Sequence, residues 1–142
     1  MRYYNLKKFN STKAYLKAQI KQWKRDSLKK NPRCQITNQV KDVDVHHLNK
    51  SFSEILEETF IAADLPYYKT TTEYTQEELL KLSNICLALH YKYGYGMAMG
   101  KKVHKLFHDT YGESPTREDY YEFKKQFKKG EIRLDTVKVV NK

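Results

Sequence analysis

The sequence predicts a small α+β domain, mostly helical and built around one short antiparallel hairpin, on three observations. Apolar residues recur at helical spacing through several segments that open on capping residues. One stretch, "RCQITNQVKDVDVHHL" at residues 33–48, departs from that period and is β-rich, with alternation toward its end. At 142 residues the chain has length for one modest core and little room for a second. The expected organisation is one domain over residues 1–142: a basic N-terminal helix within 1–30, a core over 31–112 with a helical insert at about 51–93, and a C-terminal helix and tail over 113–142.

Ser11 or Thr12 can cap the first helix, in which Leu16, Ile20, Trp23 and Ser27/Leu28 return at helical spacing. Lys13, Lys17, Lys21 and Lys24 fall on another face, so this helix is amphipathic and basic; that face is read either as a solvated cover on a core helix or as a phosphate contact. Asn31-Pro32 breaks it. "RCQIT" and "DVDVHHL" then read as two strands of a hairpin, with turn chemistry in "NQVKD" and with Val43 and Val45 alternating against Asp42 and Asp44.

Ser51 with Glu54 forms a capping box opening a helix through Phe52, Ile55, Leu56 and Phe60, and "ADLPYYKTTTEY" is a loop. Thr75 with Glu78 opens a longer helix with Leu79, Leu82, Cys86 and Leu89 inward, and Gly94 is placed to end it. Glycines at 94, 96 and 100 bracket a short extended piece that leads into a helix from about Lys101 to Gly112. Ser114-Pro115-Thr116 starts the last helix, with Tyr120, Phe123 and Phe127 inward, Lys124, Lys125, Lys128 and Lys129 outward, and Gly130 at its end. The tail "EIRLDTVKVVNK" alternates weakly and suits an edge strand or a surface path.

Charge narrows the partners. With 27 Lys+Arg against 17 Asp+Glu the net charge is +10, which favours polyanions because each neutralised phosphate releases condensed counterions. Nucleic acid leads; ribosome association or a membrane surface are the competing readings. No apolar run is long enough to span a bilayer, and "MRYYNLKKFN" lacks the apolar stretch of a secretion signal, so a soluble cytoplasmic protein is expected. Cys34 and Cys86 lie far apart without a CxxC, which provides neither a disulfide framework nor a four-thiolate zinc site; both are expected reduced, with Cys86 in the core.

Of the five histidines, four fall into two close pairs. His104 and His108, four apart on a helix, project from one face and can share a cation. His46 and His47 are adjacent at a strand end and point to opposite sides, so they suit two jobs, one metal ligand and one base. Neither pair decides alone, since surface or packing histidines fall at the same spacings. Their conjunction in a basic chain, a β-hairpin ending in HH and a glycine-bounded extended piece feeding a helix with HxxxH, is far more specific.

On "CQITNQ", "VDVHHL" and "GMAMGKKVHKLFH" the chain resembles the HNH endonucleases, also called ββα-metal or His-Me finger nucleases, over roughly residues 20–130. HH paired with HxxxH is similar to the colicin-type nuclease domains, whereas the order "WKRD", "PRCQIT", "HHL", "LHYKYGYG", "VHKLFHDTYG", "YYEFKKQF" looks more like small phage-encoded, free-standing or homing-type members. The resemblance implies a ββα-metal core and metal-dependent hydrolysis of phosphodiesters in double-stranded DNA, leaving a 5′-phosphate and a 3′-hydroxyl. It makes His47 the general base, His46 the first-strand metal ligand, His104 the terminal histidine ligand and His108 the additional ligand. Expected DNA contacts are Lys17, Lys21, Lys24 and Arg25 on the first helix, Lys101 and Lys102 before the histidine helix, and Lys124 and Lys128 on the last. A monomer of this kind nicks, and a double-strand break needs a homodimer or two binding events. A phage-encoded member acts in the host cytoplasm.

The chain departs from the family at the middle residue, which holds the base in orientation. Nine residues before His104 stands Tyr95, and His90 or Asn84 on the preceding helix are the other candidates. Three imidazoles favour Zn²⁺, Ni²⁺ or Mn²⁺, while the resemblance to phage members implies Mg²⁺ or Mn²⁺ in use. The alternative is a non-catalytic DNA-binding module with a structural zinc, which would call on a fourth ligand such as Cys34.

Overall fold

In the computed structural model, which describes residues 10–134, Ser11 accepts a hydrogen bond from the Ala14 amide and opens α1 (Thr12–Gln19). α2 (Lys21–Lys30) follows at once. The single N-terminal helix expected from the periodicity is thus broken at Ile20, where no proline or glycine stands. Leu16, Ile20 and Trp23 still keep one buried face across the break, at 0%, 1% and 2% exposure.

The hairpin differs from the expected one. β1 (Val43–His46) forms, but "RCQIT" does not pair with it; residues 33–39 close instead into a tight turn through Cys34 N–H to Gln39 O and Asn38 N–H to Cys34 O. Asn38 and Asp42 take left-handed backbone at φ 68 and 53, which these two residue types tolerate and a continuous strand does not. The partner of β1 comes from much further along the chain.

Between them lies the helical insert. The Ser51–Glu54 capping box opens α3 (Phe52–Ala63), a short 3₁₀ turn covers Thr71–Glu73, and the Thr75–Glu78 box opens α4 (Gln76–Lys92). β2 (Met97–Gly100) then pairs antiparallel with β1 in the register Val43↔Gly100, Asp44↔Met99, Val45↔Ala98 and His46↔Met97. Gly96 must be glycine: a Cβ there would stand 2.3 Å from Val45 Cγ1 and 2.8 Å from Trp23 Cη2. α5 (Lys101–Tyr111) leaves β2 directly. α6 (Arg117–Lys128) opens on a Thr116–Asp119 capping box, at the last residue of the expected Ser114-Pro115-Thr116 signal.

The result is a small α+β domain whose two-stranded sheet stands between two apolar clusters. One gathers α1 to α4 with Val45, through Leu16, Trp23, Ile55, Leu82 and Cys86; the other gathers Met99, Val103, Phe107, Tyr120 and Phe123 with Cys34 and Leu48. Tyr120 and Phe123 face inward as the periodicity predicts. Of the tail expected as an edge strand or a surface path, residues 131–134 form no strand and 135–142 lie outside the described residues, as do residues 1–9. Among the described residues no helix is long and apolar enough to cross a membrane.

Candidate active site

β1 ends on His46, and its pleat sends successive side chains to opposite sides. His46 turns toward the second cluster, with Phe107 at its edge (centroids 5.1 Å) and Tyr120 stacked on it (5.9 Å, 16°). His47, one residue past the strand, turns toward the first cluster and stacks on Trp23 at 4.7 Å. α5 presents His104 and His108 toward His46, at centroid distances of 5.4 and 5.7 Å. The three expected ligands meet: His46, His104 and His108 offer ring nitrogens within 4.8 Å of one another, close enough to bind one metal ion.

The hydrogen-bond partners fix the tautomers. His108 Nδ1 lies 2.9 Å from the Gly112 carbonyl, which only accepts, so Nδ1 carries the proton and Nε2 a lone pair. His104 Nδ1 faces the Asp44 carboxylate at 3.5 Å, with the same consequence. The two Nε2 atoms stand 3.0 Å apart. Two lone pairs at that distance repel unless a positive charge lies between them. Ligands about 2.1 Å from a shared ion, at angles of 90–109°, are roughly 3.0–3.4 Å apart, so the pair fits a metal.

His46 completes the fit: it is 2% exposed and neither ring nitrogen has a hydrogen-bond partner. A buried imidazole left so is costly unless a ligand takes it up. Burial, and secondarily His104 and His108, push its pKa down to about 3, which keeps it neutral and free to donate its lone pair. Burial and His108 lower His104 too, partly offset by Asp44.

On the other side, His47 Nε2 lies 2.9 Å from His90 Nε2, and His90 Nδ1 lies 2.7 Å from the Cys86 carbonyl. Burial first, then His90, push the His47 pKa down to about 2. Of the three candidates to orient His47, His90 is the one that touches it. Tyr95 is 42% exposed and packs beside Tyr91 with Lys30 over its ring, and Asn84 is exposed on α4. The end of α4 is tied down around this contact: Trp23 Nε1 donates to Gly94 O, Tyr91 to Asp26, and Asn49 Nδ2 to Tyr93 O.

His46, His104, His108 and His47 line one cleft of about 260 Å³, together with Lys17, Lys24, Asp44, Ser51, Phe52 and Glu113, while His90 is fully buried behind His47. Lys17 and Lys24 therefore reach the site, with Lys17 Nζ 5.6 Å from the Phe52 ring centroid. Lys21, Arg25, Lys101 and Lys102 are exposed on their helices, whereas Lys124 and Lys128 line a different notch with Arg33, Gln35 and Asn38. Cys34 is not in the metal group; it is fully buried, and its Sγ accepts from the Thr37 amide.

Asp44, Trp23, Glu113 and the carbonyls of Cys86 and Gly112 were not foreseen as site groups. Asp44 had a signal, since strand alternation puts it on the face of His46; the carbonyls had none, because every residue has one. No protein-family model, no curated protein and no solved structure matches this chain.

Proposed function

We propose that the protein is a divalent-metal-dependent DNA endonuclease of the HNH, or ββα-metal, type. The observation that carries this reading is the division of labour at one strand end. His46 is buried without hydrogen-bond partners beside the facing Nε2 atoms of His104 and His108, while His47 lines the same cleft from the opposite side. The order β1, β2, α5 around them, and the net charge of +10, support it.

His46, His104 and His108 would hold the ion, with Asp44 and the Gly112 carbonyl orienting two of the rings. When bound, a divalent ion supplies positive charge to the scissile phosphate and the departing 3′-oxygen. His47 takes a proton from water as the water oxygen attacks phosphorus; the bond to the 3′-oxygen breaks and that oxygen takes a proton from solvent. A 5′-phosphate and a 3′-hydroxyl remain. The low pKa that burial imposes on His47 keeps it neutral, and an incoming phosphodiester raises its basicity by bringing negative charge beside it. Lys17 and Lys24, which line the cleft, would hold flanking phosphates of double-stranded DNA. Mn²⁺, Zn²⁺ and Ni²⁺ suit three imidazoles; Mg²⁺ serves where phosphate and water oxygens fill the remaining positions.

Supercoiled plasmid incubated with a panel of divalent ions tests the reading, with His47→Ala as the control. Nicking that appears with Mg²⁺ or Mn²⁺, stops in EDTA and is lost in His47→Ala is expected. Absence of cleavage with every ion, together with unfolding on chelation, would instead establish a structural zinc module.

A further inference from the structure

We infer that His90 is the positioning residue of the site: pinned by the Cys86 carbonyl, it accepts a hydrogen bond from His47 and holds His47 as the tautomer whose bare nitrogen is Nδ1. The catalytic consequence rests on the nuclease reading; the geometry does not.

A carbonyl oxygen accepts and never donates, so the 2.7 Å contact from Cys86 O puts the proton on His90 Nδ1. In a neutral imidazole the other nitrogen then bears a lone pair, and it is this Nε2 that faces His47 Nε2 at 2.9 Å. His47 must therefore donate from Nε2. Its Nδ1 is left without a hydrogen, and among the described residues none hydrogen-bonds to it.

His90 cannot easily swing away. It is fully buried on α4, its ring meets Trp23 edge-on at 4.9 Å, and it touches the carbonyl one turn back on its own helix. His47 is held between Trp23 (4.7 Å, 27°) and Phe52 (5.9 Å, 60°), so the ring has little freedom except in which nitrogen carries the proton. That choice is what His90 makes. An asparagine or glutamine amide in its place presents either a donor or an acceptor, whereas His90, with Nδ1 committed, presents only an acceptor. The chain of contacts ends on a carbonyl that takes no proton, so a proton accepted at His47 Nδ1 leaves by the same nitrogen.

The direct test is ¹⁵N NMR of the full-length protein with labelled histidine. Expected are a coupling across the hydrogen bond between the two Nε2 nitrogens, a slowly exchanging proton bonded to His47 Nε2, and an unprotonated His47 Nδ1. A proton found on His90 Nε2, or on His47 Nδ1, overturns the inference, as does the absence of the coupling. Two variants add the functional readout. His90→Leu removes the acceptor and is expected to lower kcat about 100-fold or more with KM little changed, while His90→Gln, which returns an acceptor oxygen, recovers most of that loss. If His90→Leu stays folded and cleaves at the wild-type rate, the inference fails. A protein that shows the coupling but cleaves no DNA supports the His90 assignment and removes the nuclease reading alone.

Discussion

Two imidazole pairs sit in this molecule at nearly equal separation, 3.0 Å between the Nε2 atoms of His104 and His108 and 2.9 Å between those of His47 and His90, and their chemistry is opposite. In the first pair both Nδ1 atoms face acceptors, Asp44 and the Gly112 carbonyl, so two lone pairs meet and ask for a cation. In the second only His90 has its Nδ1 so engaged, by the Cys86 carbonyl; one lone pair meets one N–H, and the pair is complete without a metal. What a histidine pair can do is decided at its far nitrogens. The residues that touch those nitrogens are as informative as the histidines themselves.

The strongest way to break this contrast is to remove one histidine from each half of the site, the third histidine beside the His104–His108 pair and His47 itself. His46→Ala is expected to weaken Mn²⁺ or Zn²⁺ binding, measured by calorimetry, by more than the roughly 100-fold that loss of an outer partner causes. His47→Ala is expected to leave metal affinity within a few-fold and to lower the cleavage rate by about 10²–10⁴. Equal loss of metal affinity in both variants would merge the two halves into a single cation site and sink the assignment of His47.

Acid should act on both halves in the same direction. Burial holds the pKa of His46 at about 3 and of His47 at about 2, whereas in the unfolded chain both titrate near 6.5. Below pH 6.5 the unfolded state therefore binds more protons, and stability is lost as pH falls, by about 1.4 kcal/mol per pH unit for each histidine until its folded pKa is reached. Urea unfolding of the metal-free protein is expected to show about 3 kcal/mol less stability at pH 5 than at pH 6.5 from these two groups together, because the full slope is reached only once the unfolded histidines are mostly protonated. Bound metal should delay the loss, because protons and metal compete for His46. A flat profile over that range would mean that the two rings are not buried neutral.

Asp44→Asn sharpens the metal half alone. The amide still occupies the space but can turn a donor toward His104, and metal affinity is expected to fall by about 10–100-fold while His47 and its partner His90 stay as they are. A smaller effect belongs to the cleft lysines. Lys17→Gln and Lys24→Gln should each reduce the slope of log K against log salt for duplex binding by about 0.9, measured by anisotropy below and above 0.1 M salt, if each contacts one phosphate.

Much of this arrangement was legible in the chain. The capping boxes at Ser51–Glu54 and Thr75–Glu78, the inward faces of α4 and α6, and the shared face of His104 and His108 follow from short-range periodicity, and the structure carries all of them. The hairpin was not legible, because β-propensity names strands but not their partners: "RCQIT" has strand composition, yet the left-handed residues Asn38 and Asp42 turn it away, and β1 pairs with β2. The break at Ile20 left no local mark: no proline or glycine stands there, and the apolar period runs through it unchanged.

By itself the sequence determined which side chains are available and which way each faces on its own element: His46 and His47 to opposite sides of a strand end, His104 and His108 to one side of a helix. Those are consequences of backbone period, which acts over a few residues. Only the tertiary structure decided that β2 delivers α5 to His46, that α4 delivers His90 to His47, and that the carbonyls of Cys86 and Gly112 set the tautomers. Strand pairing and helix docking join residues far apart in the chain, and a backbone carbonyl looks the same at every position until the fold aims it at something.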